Sequence, residues 1–292
     1  MTKHSKKLVV ALCLLSLTLL PAMAQTARRY SVAACDWMML KRQKLGEFAL
    51  SKDIGAHGVE MDMGPLGQRV LFDNKMRDPM EAAKFKHTAD SLGIEVPSIA
   101  MSGFFAQNFI RRGNYRELLE DCINTMHLFG SKVAFLPLGG CGDGWKKPGA
   151  EREELVKRLR VAGQMAVANG VVFAIRTALP AKESKRLIRE VGSKGIKIYY
   201  NFQDATDNGW DIPKELKILG RKNIAQIHAS NTDGVNLRDD RKINLPAIKR
   251  VLDKMGWSGW LVVERSRDAN RVKDVRYNFG NNVTYLKEVF KD

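Results

Sequence analysis

The sequence predicts an α/β chain of one domain folded as a (β/α)8 barrel, and three observations carry that reading. Eight short β-rich runs recur along it, stretches with 3.6-residue apolar spacing lie between them, and the turn residues joining the two are few. Such alternation calls for parallel strands with right-handed helical crossovers, and a sheet of eight such units normally closes on itself. Once a leader of residues 1–24 is set aside, about 268 residues remain, the usual size of such a barrel.

The strand runs are Tyr30 to Cys35, Gly58 to Met61, Ile94 to Ala100, Val133 to Leu136, Val171 to Ile175, Ile196 to Tyr200, Ile224 to Ile227 and Trp260 to Val263. Between them, REELVKRLRVAGQMAVANG places Leu155, Leu159, Ala162 and Ala166 on one stripe, and Asn169-Gly170 supplies a stop. ELLEDCINTMHLFG behaves alike and ends at Gly130. In INLPAIKRVLDKMG, Asn244 is a cap, Pro246 occupies the first turn, where its missing N–H costs nothing, and Gly256 ends the helix. No linker, low-complexity tract or second domain interrupts the pattern, so residues 25–292 read as one unit.

The opening MTKHSKKLVVALCLLSLTLLPAMA has a basic start, a short apolar stretch and an Ala-x-Ala ending, which reads as a signal peptide cleaved after Ala24. Leu8 to Leu20 is shorter than the roughly 20 residues a membrane span needs, and no later segment competes, so a secreted or periplasmic protein without a membrane span is expected. Losing Lys3, Lys6 and Lys7, with no acid among them, lowers the formal charge from +16 to +13. Basic charge of that size can signal nucleic acid, but the cations are spread through KRLR, KRLIRE and RKNIAQ among acids, as on solvated helix faces, and no nucleic-acid partner is expected. Cys35, Cys122 and Cys141 remain, an odd number without CxxC, which argues against a zinc knuckle and leaves room for one disulfide.

Reactive groups in such barrels stand at the C-terminal strand ends. Strand two ends at Glu60 and Asp62, strand five at Arg176, strand six at Asn201 with Asp204 beyond, strand seven at His228 and strand eight at Glu264. Alternation places Ala174 with Arg176, Gln226 with His228, and Val262 with Glu264, so inward-facing sets would gather one polar cluster.

IYYNFQDA, QIHASNTDG, GWLVVERSRD and GVEMDM closely resemble the xylose isomerase-like TIM barrels, the sugar isomerase and epimerase family that also includes endonuclease IV. The resemblance covers the order of elements along the whole chain after the leader and is most specific from Phe173 to Asp268. It implies a divalent ion, such as Mn2+, Mg2+ or Zn2+, held by Glu, Asp, His and Glu from strands five to eight. Those places hold Arg176, Asn201, His228 and Glu264. A guanidinium has no lone pair to donate, and about 4 to 5 Å from a dication it would repel by several kcal/mol even at an effective dielectric near 20. No cofactor is therefore expected and the metal is absent or weak; any ion bound would have Asn201, His228 and Glu264.

What the resemblance still implies is a carbohydrate pocket. Glu264 is expected as base with His228 as partner acid, and Arg176 as a fork for a sugar oxygen in place of the ion. Asn201, Glu60, Asp204, Arg267 and Trp145 are expected at the substrate, with Trp145 on a mobile lid formed by LGGCGDGWKKPG. Trp37 and Trp210 are rim aromatics suited to sugar C–H surfaces, Lys182 is a further cation past strand five, and His57, His87 and His127 are bystanders. The function expected is an exported isomerase or epimerase acting on a free or oxidised sugar by proton transfer beside a carbonyl. Its alternatives are a non-catalytic sugar-binding barrel and a metal-independent lyase or hydratase. DNA repair is excluded, because it would need a three-zinc cluster and only His228 stands at a strand end.

Overall fold

The structure is a computed structural model, and it describes residues 28–291; the expected leader lies outside them. Eight parallel strands close into a barrel in sequence order: β1 (Tyr30–Cys35), β2 (Gly58–Asp62), β3 (Ser98–Ala100), β4 (Val133–Pro137), β5 (Val172–Arg176), β6 (Ile196–Asn201), β7 (Ile224–His228) and β8 (Gly259–Val263). Closure comes from β1 pairing with both β2 and β8.

Most strand ends extend one residue further than the apolar runs suggest, so Asp62, Arg176, Asn201 and His228 are themselves the last strand residues. β3 is the opposite case. The expected run from Ile94 shortens to Ser98–Ala100, because Pro97 has no N–H for a ladder; Glu95 makes only an isolated bridge with Gly58.

Alternation along the strands divides the side chains as a barrel demands. Ala33, Cys35, Ala100, Phe135, Ala174, Tyr199 and Val262 fill the interior, and the outward set, including Val32, Val59, Phe173, Ile175 and Leu261, joins the helix layer. The expected helix signals hold. Tyr115–Phe129 ends at Gly130, Ala150–Ala168 is followed by Asn169 and Gly170, and in Leu245–Met255 the Asn244 side chain accepts from Ala247 N at 3.0 Å. Inside Ala150–Ala168 a glycine has a purpose: a Cβ on Gly163 would lie 2.3 Å from Ser193 Oγ, so only glycine lets this helix close onto the turn before β6.

Cys35, Cys122 and Cys141 are buried and free, so the disulfide that the sequence left open does not form among them. Among the described residues no helix is long and apolar enough to cross a membrane.

Candidate functional site

The C-terminal mouth collects the polar strand ends into one hydrogen-bonded cluster. Glu264 follows β8, and Ser230 Oγ anchors its backbone by accepting from the N–H groups of Glu264 and Arg265 at 3.1 and 3.0 Å. Its Oε2 lies 3.6 Å from Arg176 Nη1, 3.6 Å from His228 Nδ1 and 3.3 Å from Asn201 Nδ2. Three expected residues, from β5, β6 and β7, therefore converge on one carboxylate oxygen of a fourth, Glu264, at the end of β8.

Arg176 is mostly buried. Its principal partner is Asp204, gripped by Nη2 at 2.7 Å and Nε at 3.0 Å, with the Phe105 ring 5.4 Å below the guanidinium. Burial opposes the charge, but Asp204 and then Glu264 outweigh it and hold the guanidinium above its ordinary value. Asn201 caps the short helix Phe202–Asp207: its Oδ1 accepts from Gln203 N at 2.8 Å, which turns the amide NH2 toward His228 Nδ1 at 3.4 Å.

His228 is fully buried between Phe135 and Tyr199, whose ring centroids lie 4.8 and 4.3 Å away. On its far side, Nε2 meets Glu60 Oε1 at 2.7 Å. The other oxygen of Glu60 accepts from Tyr199 OH at 2.7 Å and from Ser98 Oγ, and Gln226 Nε2 reaches both of those hydroxyls. Glu60 was expected at the substrate; it is buried instead in the barrel interior with both oxygens occupied. Nothing in the sequence named Ser98 or Tyr199, although each shares the inward parity of a strand-end residue, Ser98 with Ala100 and Tyr199 with Asn201.

Two further candidates take different places. Trp145 is 1% exposed and packed in the outer core, because its turn folds under the Ala150–Ala168 helix, so it is no lid over the mouth. Arg267 is tied to Asp233, with Nη2 2.6 Å from Oδ2, on the loop after β8, outside the four-residue cluster. Trp37 does stand over the interior, stacked on Phe135 at 6.2 Å and edge-on to His228 at 6.0 Å. Trp210 packs against the core and Lys182 is exposed. His57 accepts from Val32 N at 3.0 Å, and burial lowers it to about 4; His87 and His127 are exposed on helices.

Backbone strain concentrates on the same face. The non-glycine residues with positive φ are Lys41, Arg42 and Gln43 in the loop region after β1, Ala178 after β5 and Ser266 after β8. Each costs of order 1–3 kcal/mol, and such residues persist where surrounding contacts over-determine them. The first three are held by Asp36 Oδ2, which accepts from Gln43 N at 2.8 Å, and by Asp62, 2.9 Å from Arg42 Nε. Asp36 and Glu47 are fully buried there, and neither Asp36 Oδ1 nor Glu47 Oε1 finds an N–H or O–H donor. Burial, reinforced by the charge of Asp36, pushes the Glu47 carboxyl well above its ordinary value.

A family profile described as xylose isomerase-like TIM barrel matches residues 48–288. The chain belongs to the xylose isomerase-like TIM barrel family. No curated protein matches the sequence significantly. Among solved structures, the chain is similar to a D-psicose 3-epimerase crystallised with D-fructose, at 12% identity and TM-score 0.71, covering 90% of this chain and 100% of that one. It is also similar to the 3-keto-D-glucoside 4-epimerase of E. coli, at 16% identity and TM-score 0.68, covering 89% and 99%, and to an L-ribulose 3-epimerase, at 16% and 0.69, covering 90% and 95%. At these identities the similarity establishes the fold.

In this xylose isomerase-like barrel the resemblance implies a divalent ion at this cluster. Facing it are one imidazole nitrogen and one carboxylate, an amide turned with its NH2 inward, and a guanidinium 3.6 Å from that carboxylate. Among the described residues, no three of His, Cys, Asp and Glu are grouped to hold a metal.

Proposed function

We propose that this chain acts on a free or oxidised sugar by transferring a proton beside a carbonyl, as an isomerase or epimerase working without a divalent metal. The observation that carries the reading is the convergence of Arg176, Asn201 and His228 on Glu264 Oε2. Glu264 and His228 are the groups that exchange protons, and Arg176, whose charge persists at any accessible pH, faces the oxygen that becomes negative when a carbon next to the carbonyl is deprotonated. The named sugar epimerases among the structural neighbours favour a carbohydrate ligand. We further propose that the protein is exported and cleaved after Ala24, which intact-mass measurement of the purified protein checks.

One observation favours a second reading. Arg176 spends its two-nitrogen contact on Asp204, which would suit a sugar-binding barrel without turnover, or a lyase in which Arg176 steadies only the oxyanion. Incubation in D2O with ketoses and with 3-oxidised glycosides separates these readings. Deuterium at the carbon beside the carbonyl, lost in Glu264→Gln, supports the isomerase or epimerase; loss of a leaving group instead marks the lyase. Binding without exchange or elimination for any sugar sinks the catalytic proposal.

A further inference from the structure

We infer that Glu60 fixes the tautomer of His228, placing the ring proton on Nε2 and leaving Nδ1 as an unprotonated acceptor turned toward Asn201 and Glu264. The inference deepens the proton-transfer reading of this site and takes its chemical meaning from it.

Donor accounting decides it from both sides of the ring. Gln226 Nε2 lies 2.7 Å from Ser98 Oγ and 2.9 Å from Tyr199 OH, and an amide nitrogen only donates. Each hydroxyl, having accepted there, points its single proton onward to Glu60 Oε2. The reversed amide would draw those protons to itself and leave Oε2 without a donor in the barrel interior, which is costly. Two donors on Oε2 favour the ionised carboxylate of Glu60, and the proton in its 2.7 Å contact with His228 then sits on Nε2.

The opposite face gives the same answer. Asn201 Oδ1 is committed to Gln203 N, so the group facing Nδ1 at 3.4 Å is an NH2, which needs a lone pair to meet. A proton on Nδ1 would confront that donor, and the one acceptor on this side, Glu264 Oε2, stands at 3.6 Å, beyond hydrogen-bond reach.

The resting histidine is therefore an acceptor on the site side, not the acid expected from the sequence. In the transfer, a proton leaves the substrate carbon for Nδ1, the C–H electron pair delocalises into the carbonyl, and the negative oxygen faces Arg176. The imidazolium so formed is balanced by Glu60 and gives up its proton to solvent, while Glu264, protonated from solvent, supplies a proton to the opposite face of the same carbon, or Nδ1 returns a solvent-exchanged proton to the neighbouring carbon. Glu60, Ser98, Tyr199 and Gln226 never touch the sugar; they are positioning residues, at most 1% exposed.

Nitrogen NMR of the full chain labelled on its histidines tests this, with the His228 signals assigned by their loss in His228→Gln. The wild type is expected to show the Nε2–H pattern at neutral pH. Glu60→Gln, which can donate to Nε2, is expected to move the ring to Nδ1–H and to cut proton exchange by about 10²-fold or more. If that variant does not fold, the wild-type spectrum alone is decisive: an Nδ1–H ring or a doubly protonated one overturns the inference. An Nε2–H ring in a chain that exchanges no proton with any sugar upholds the tautomer while the sugar chemistry fails. Exchange by a chain with an Nδ1–H ring does the reverse.

Discussion

Arg176 holds Asp204 with two nitrogens, Nη2 at 2.7 Å and Nε at 3.0 Å, while its third, Nη1, stops 3.6 Å short of Glu264. One guanidinium thus serves two carboxylates at a largely buried mouth. Removing it leaves both without a counter-charge, so Arg176→Met is expected to lower unfolding free energy by about 3 kcal/mol. Adding Asp204→Asn is expected to recover part of that loss, because the orphaned charge disappears. Urea unfolding of the two single variants and the double variant reads the coupling directly; simple additivity would show that the contact is not formed.

On the proposed metal-free reading, the same guanidinium is what keeps a dication out. Arg176→Glu combined with Asn201→Asp restores an acidic set around His228 and Glu264, and calorimetry is expected to show Mn2+ binding at least about tenfold tighter than wild type, or about 1.4 kcal/mol. Equal affinities would mean that charge at these two positions is not what excludes the ion.

Stability should depend on pH through the carboxyls under the β1 loop. Burial, reinforced by the charge of Asp62, raises Asp36 to about 8, and burial, against Arg42, raises Asp62 to about 6. In the unfolded chain both return to about 3.9. The folded state thus keeps protons that the unfolded state has released, so the contribution of these two groups to stability is fully present below about pH 4 and is lost as pH rises toward 8. The slope approaches about 1.4 kcal/mol per pH unit for each such group. Urea midpoints at pH 5 and pH 8 measure the fall, and Asp36→Asn is expected to flatten it; a midpoint that rises with pH would contradict the raised carboxyls.

Trp145 is expected to behave as core. Trp145→Ala should cost about 3–5 kcal/mol, whereas Trp145→Phe should cost less, because the buried Nε1 has no hydrogen-bond partner to lose. A lid residue would show the opposite balance, with sugar affinity falling and the unfolding midpoint unmoved.

The sequence made the barrel legible because alternation, helix stripes and stop residues all agree, and the polar ends of β5 to β8 stand out against apolar runs. Partners were harder to read. A guanidinium near two acids gives no hint which it will grip, and Asp204 prevails over Glu264 because the turn of Phe202–Asp207 brings it alongside Arg176. Glu60 looked like a rim residue since its strand was expected to end at Met61; one more ladder residue places it below the rim. Tyr199, Ser98 and Gln226 sit two positions before a strand-end residue, so parity was the available signal. The burial of Trp145 depends on how a glycine-rich turn folds back under the helix that follows it, which apolar spacing does not encode.

The unbridged thiols of Cys35, Cys122 and Cys141, all sequestered from solvent, have a practical consequence. None of the three makes folding wait on an oxidant, so a reducing host is as suitable for production as an oxidising one. Because burial also holds each sulfhydryl protonated, alkylating reagents reach them only when the barrel opens, and the rate of their capture becomes a clock for that opening.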